Sequence, residues 1–202
     1  MTKIKICGLS RPCDIDYVNY ARPDYCGFIV NFPKSRRNVS PERVAELVSN
    51  LAKEIVPVGV FVNEEIKNVA HMLDEGVIAI AQLHGSEDNE YIAALRKLTD
   101  KPLIQAFRIG CKDDVERAAA SSADYVLLDS GGGSGKVFNW QLIKDFPRPY
   151  FLAGGLNIEN LNGAIEKFHP FAVDISSGVE SDGFKDFDKI KAAVAAVRRY
   201  TE

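Results

Sequence analysis

The sequence predicts an α/β fold, a (β/α)8 barrel of eight parallel strands that takes up residues 1–202 as a single domain. Three observations carry this expectation: eight short β-prone apolar runs, a helical pattern after each, and a repeat of about 25 residues along the 202-residue chain. Strands that alternate with helices build a parallel sheet through right-handed crossovers. An open doubly wound sheet shares the alternation, but it calls for a glycine fingerprint after the first strand, where this chain has only Cys7-Gly8.

The first strand is Ile4 to Cys7, followed by a helix over Asp14 to Ala21. Alternation along the strand sends Ile4 and Ile6 towards the helices and Lys3, Lys5 and Cys7 into the barrel. The second strand, Tyr25 to Val30, leads to a helix over Pro41 to Ala52. Its start is well marked, because Ser40-Pro41-Glu42 supplies a capping hydroxyl, a proline at the first helical position and a carboxylate in the first turn. Val56 to Val62, Ile78 to Leu83 and Leu103 to Phe107 continue the strands, with helices over Glu64 to Asp74, Asn89 to Leu98 and Asp113 to Ala120.

The sixth strand, Tyr125 to Leu128, stops at Asp129 and a glycine-rich loop, Ser130 to Lys136, before a helix over Trp140 to Asp145. A buried strand ended by a carboxylate and a flexible loop delivers one polar group to the mouth of a site. The plain reading of Asp129 is a turn cap, and of the loop a connection. Tyr150 to Ala153 with Glu159 to Phe168, and Ala172 to Ile175 with Asp186 to Tyr200, complete the eight units. In the last strand Asp174 faces inward between Val173 and Ile175. Closure places it beside the first strand, where Lys5 is expected to pair with it beneath Cys7, since a buried lysine needs a partner.

Composition narrows the function classes. The chain is 46% hydrophobic and 26% charged with a net charge of -3, which suits a soluble core and gives no electrostatic footprint for nucleic acid. No signal-peptide pattern opens the chain and no apolar run is long enough to span a bilayer, so a cytoplasmic location without membrane partners is expected. Cys7, Cys13, Cys26 and Cys111 lack CxxC spacing, and only three histidines accompany them. Free thiols and no metal follow. His71 and His169 read as ordinary surface or helix-end residues.

A barrel of this kind carries its site at the C-terminal ends of the strands. The groups collected there are Cys7-Gly8, Asn31 to Arg37, Asn63, His84-Gly85, Arg108, Asp129, Gly154-Gly155 and Ser176-Ser177-Gly178. The last two sets read as a phosphate cradle, where glycine admits backbone N–H groups to phosphate oxygens; otherwise they are tight turns. Cys7 as a small buried hydrophobe is the plain reading of a free cysteine, and its place at a strand end before a glycine argues against that. His84 fits a hydrogen-bonded turn as well as a substrate contact.

Lys5-Ile6-Cys7-Gly8, Gln82-Leu83-His84-Gly85, Gly132-Gly133-Ser134-Gly135-Lys136, Ala153-Gly154-Gly155-Leu156-Asn157 and Asp174-Ile175-Ser176-Ser177-Gly178-Val179-Glu180 stand in this order. Together they resemble the phosphoribosylanthranilate isomerases of tryptophan biosynthesis, over essentially the whole chain. The resemblance implies a cofactor-free Amadori rearrangement of N-(5-phosphoribosyl)anthranilate, with Cys7 matching the family's general base and Asp129 its general acid. It implies a small phosphosugar as the partner and a monomer or homodimer. Arg37 of Pro33-Lys34-Ser35-Arg36-Arg37 matches the arginine near the anthranilate end; one extra residue in Asn31-Phe32-Pro33 leaves Arg36 and Arg37 both as substrate-binding candidates beside His84 and Asp174. The loop between Asp129 and Gly132 is short, and Asn139 stands where the family often has Asp.

Three rivals can be set against this reading. The histidine-pathway phosphosugar isomerase on the same barrel uses aspartates at both catalytic positions and a substrate with a phosphate at each end. Cys7 and a single cradle favour the anthranilate substrate. A non-catalytic phosphosugar-binding barrel would keep the cradle and lack Cys7 or Asp129, and a thiol redox protein would need a resolving cysteine.

Overall fold

The computed structural model describes residues 2–129 and 140–199. Among these residues the chain forms a closed barrel of eight parallel strands: β1 (Lys3–Cys7), β2 (Tyr25–Val30), β3 (Val56–Phe61), β4 (Ile80–Leu83), β5 (Leu103–Arg108), β6 (Tyr125–Asp129), β7 (Tyr150–Ala153) and β8 (Ala172–Ile175). Each strand pairs with its successor, and β8 returns to β1 with Lys5 opposite Asp174. The helices are α1 (Pro12–Ala21), α2 (Pro41–Val48), α3 (Ile66–Asp74), α4 (Asn89–Leu95), α5 (Lys112–Ala119), α6 (Leu161–Phe168) and α7 (Phe187–Arg199).

Alternation along the strands divides the core in two. Ile4, Ile6, Val173 and Ile175 pack outward against the helices, while Val58, Ile80, Ile104, Leu127 and Phe151 fill the barrel. At the N-terminal end Lys3 donates to the Tyr25 hydroxyl at 3.2 Å and lies over the Tyr25 and Phe171 rings. That end is plugged by aromatics, which leaves the polar interior positions to gather at the other.

Most helix ends fall within two residues of the sequence expectation, and three helical segments depart further from it. α2 stops at Val48 rather than Ala52, because Ser49 Oγ and Asn50 Nδ2 both donate to the Glu46 carbonyl and compete with the next helical turn. α4 ends at Leu95, and Lys97 and Leu98 continue it only with tighter bonds to residues three back. The segment expected as a helix from Trp140 to Asp145 is a single 3-10 turn, Trp140–Ile143. Pro147 and Pro149 follow closely and push the residues before them towards extended backbone. Short pieces add to the barrel: Asn38–Val39 pairs with β2, and Glu180–Ser181 forms an antiparallel hairpin with Phe184–Lys185. Among the described residues no helix is long and apolar enough to cross a membrane.

Candidate active site at the carboxyl ends of the strands

Strand β1 brings Lys5 and Cys7 to the inner face. Lys5 has no exposed surface, and its ammonium lies 3.0 and 3.1 Å from the two Asp174 oxygens. The neighbouring position on β2 is Gly27, where a Cβ would stand 2.8 Å from Cys7 Sγ and 3.0 Å from Lys5 Nζ. The glycine is needed because the two side chains already fill that space. Burial works against the charge on Lys5, yet Asp174 and Cys7 outweigh it and raise its pKa above the ordinary lysine value. Burial likewise pushes the Cys7 thiol up, with Lys5 as the main opposing influence and Lys185 a further one.

Above Cys7 opens a cavity of 330 Å³. Cys7, Arg37, His84, Asp129, Asp174, Gly154, Gly155, Ser176 and Ser177 all line it, so the structure brings together nine of the residues singled out from the sequence. Phe32, Val60 and Leu156 supply apolar wall. Arg36 is not in this cavity; it lines a smaller one of 190 Å³ beside it, and its side chain is 58% exposed against 19% for Arg37. Of the two arginines it is therefore Arg37 that faces the site. Gly178 underlies the cradle, since a Cβ there would collide with the Leu156 carbonyl. Gly154 and Gly155 both adopt positive φ, 91° and 68°, the backbone region that favours glycine. The loop Ser130 to Lys136 and Asn139 lie outside the described residues.

The motifs assign no role to Glu180 or Lys185, and both hold the site together. Glu180 accepts from Arg37 Nε at 2.6 Å and Nη2 at 2.7 Å, from Arg36 Nη2 at 2.5 Å and from Lys185 Nζ at 2.6 Å. Burial opposes its charge, but Arg37 and Lys185 dominate together and bring its pKa down to about 2. Lys185 also donates to the Ser176 carbonyl at 3.0 Å, which ties the arginine end of the site to the cradle. Asp182-Gly183 between the two short strands, both at positive φ, is a hairpin-turn pair and was the available signal. On β4 the fully buried Gln82 lies 2.9 Å from His84 Nδ1, and His84 Nε2 stands 3.6 Å from Asp129 Oδ2.

A larger depression of 690 Å³, lined by Arg148, Tyr150, Phe168 and His169 among others, lies by the starts of β7 and β8. It shares none of these groups. Among the described residues no group of three or more His, Cys, Asp or Glu is placed to hold a metal ion.

A family model described as N-(5'phosphoribosyl)anthranilate (PRA) isomerase matches residues 4–196. The chain belongs to the N-(5'-phosphoribosyl)anthranilate isomerase family. It is thereby an isomerase of tryptophan biosynthesis, as the sequence motifs implied. The family protein of Endomicrobium trichonymphae is 44% identical over 98% of this chain and 99% of its own length, and that of Thermoanaerobacter sp. (strain X514) is 42% identical over 98% of each. The solved phosphoribosyl anthranilate isomerase of Thermotoga maritima superposes with a TM-score of 0.88 at 37% identity, covering 98% of this chain and 100% of that one. Another solved member of the family, 35% identical with a TM-score of 0.86 and 98% and 100% of the two chains covered, is in complex with reduced 1-(o-carboxyphenylamino)-1-deoxyribulose 5-phosphate. The 3-hexulose-6-phosphate synthase of Salmonella typhimurium, 12% identical with a TM-score of 0.74, shares the fold.

Proposed function

We propose that this member of the family converts N-(5'-phosphoribosyl)anthranilate to 1-(2-carboxyphenylamino)-1-deoxyribulose 5-phosphate, with Asp129 as general acid and Cys7 as general base. The observation that supports it most directly is the convergence of Cys7, Asp129, Arg37 and the glycine-serine cradle on one cavity. Gly154, Gly155, Ser176, Ser177 and Gly178 take the phosphate, Arg37 the anthranilate carboxylate, and the apolar wall the aromatic ring.

The chemistry needs one proton delivered and one removed. Asp129 protonates the ribose ring oxygen as its bond to C1 breaks, and the anilino nitrogen pair forms the C1=N double bond of a protonated imine. Cys7 thiolate takes the proton from C2, the electrons move through C1 to the nitrogen, and an enolamine results. Ketonisation at C2, with a proton gained at C1, gives the ketose. No atom is gained or lost.

Each group starts in the wrong protonation state, since an ordinary Asp titrates near about 3.9 and a Cys near about 8.5. Burial raises the Cys7 thiol further, so the buried cations Lys5 and Lys185 are what make its anion accessible. Desolvation beneath a bound aromatic ring favours the protonated form of Asp129. Both lysines are needed near the thiol because the substrate carries two anionic groups into the same cavity.

The domain is proposed to be single, cytoplasmic, and a monomer or homodimer; a relative from Thermotoga maritima is described as dimeric. Incubating the pure protein with phosphoribosylanthranilate generated in situ tests the reaction. Loss of the anthranilate-type fluorescence with formation of the ketose phosphate supports it, and an unchanged signal with folded protein removes it.

A further inference from the structure

Gln82 stands on the inner face of β4 with no exposed surface. Its register partners on β3 and β5, Val60 and Ile104, carry only hydrocarbon side chains. Its Nε2 meets His84 Nδ1 at 2.9 Å. An amide nitrogen can only donate, so Nδ1 supplies the lone pair and the neutral ring carries its hydrogen on Nε2. His84 Nε2 stands 3.6 Å from Asp129 Oδ2.

The acceptor Oε1 of Gln82 has no partner among the described residues.

We infer that Gln82 is a positioning residue that fixes His84 in its Nε2–H tautomer and thereby aims the Asp129 carboxyl. The inference rests on the reading of Asp129 as the general acid. An N–H facing Oδ2 keeps the acidic proton off that oxygen, so the proton to be delivered sits on Oδ1. The separation of 3.6 Å is longer than a hydrogen bond, and contacts of this kind at catalytic groups draw in when substrate binds. The signal was present in the sequence as Gln82-Leu83-His84, where residues two apart on a strand share a face.

The test uses the full chain with Gln82→Glu and Gln82→Met. Nitrogen-15 NMR of the wild type should show a bare Nδ1 and a protonated Nε2 on His84. In Gln82→Glu a carboxylate that only accepts demands a hydrogen on Nδ1, so the ring signals should invert or become those of an imidazolium. Turnover should fall roughly tenfold to a hundredfold while KM changes little, as expected for misplacement of a reacting group. Gln82→Met, which removes the donor and imposes no tautomer, should fall between. A wild-type His84 with its hydrogen on Nδ1 overturns the inference whether or not the variants fold. So does a folded Gln82→Glu whose ring has inverted with kcat unchanged. Asp129→Asn separates the two levels: if it is inactive while Gln82→Glu is fully active, only the positioning role is lost, whereas full activity in Asp129→Asn removes the acid assignment itself.

Discussion

The ammonium of Lys5 and the carboxylate of Asp174 form a two-pronged ion pair between β1 and β8, enclosed inside the barrel beneath Cys7. A buried charge left without its partner is far more costly than the pair is stabilising. Asp174→Asn should therefore lose roughly 3–5 kcal/mol, read as a lower urea midpoint at unchanged slope. Adding Lys5→Met should restore part of the loss. An Asp174→Asn protein as stable as wild type would show that the Lys5 charge is compensated in some other way.

Stability in acid should depend on Glu180. Its folded pKa is about 2 against an ordinary value of 4.5, so its contribution is complete above about 4.5 and drains away as pH falls towards 2. Melting temperatures of wild type and Glu180→Gln, measured between these limits, should converge as the pH is lowered. Parallel curves would contradict the assignment of the acid-sensitive contacts to Arg37 and Lys185.

Arg37 and Arg36 share Glu180 and both line the smaller cavity, but only Arg37 also lines the larger one. Arg37→Ala should weaken both substrate binding and turnover, because it removes a cation from the site itself. Arg36→Ala, at a largely exposed position, should alter KM less than about threefold, the scale of a surface pair. Steady-state kinetics of the two variants decide the matter, and equal effects would remove the distinction.

Gly178→Ala should open the cradle. A methyl there meets the Leu156 backbone, so the turns after β7 and β8 must separate. Inorganic phosphate as a competitive inhibitor should bind about tenfold more weakly, with the loss of one or two backbone N–H contacts. Inhibition as strong as in wild type would place the phosphate elsewhere.

Much of this is legible in the chain because it depends on local rules. Alternation through Lys3–Cys7 and Ala172–Ile175 is enough to aim Lys5 at Asp174, since barrel closure leaves β8 no other neighbour than β1 on that side. The strand ends point to Cys7, His84 and Asp129 for the same reason. Glu180 and Lys185 escape such rules because their strands are two residues long and carry no periodicity, and because a surface-like charged run becomes buried only when Arg36 and Arg37 arrive from the loop after β2. The Trp140 segment reads as α-helix only when its apolar residues are weighed above the prolines that follow it. Whether Arg36 or Arg37 points inward cannot be read from their adjacency, and both pair with Glu180; their difference in burial, which only the folded chain sets, places Arg37 in the larger cavity.

The central claim is the acid–base pair, and the most direct measurement is turnover of phosphoribosylanthranilate by wild type, Cys7→Ser and Asp129→Asn, each checked for fold and for phosphate binding. The account predicts that both variants fold and hold phosphate while losing about a hundredfold to ten-thousandfold in rate, the typical contribution of a placed acid or base. Near-full activity in either variant would contradict it.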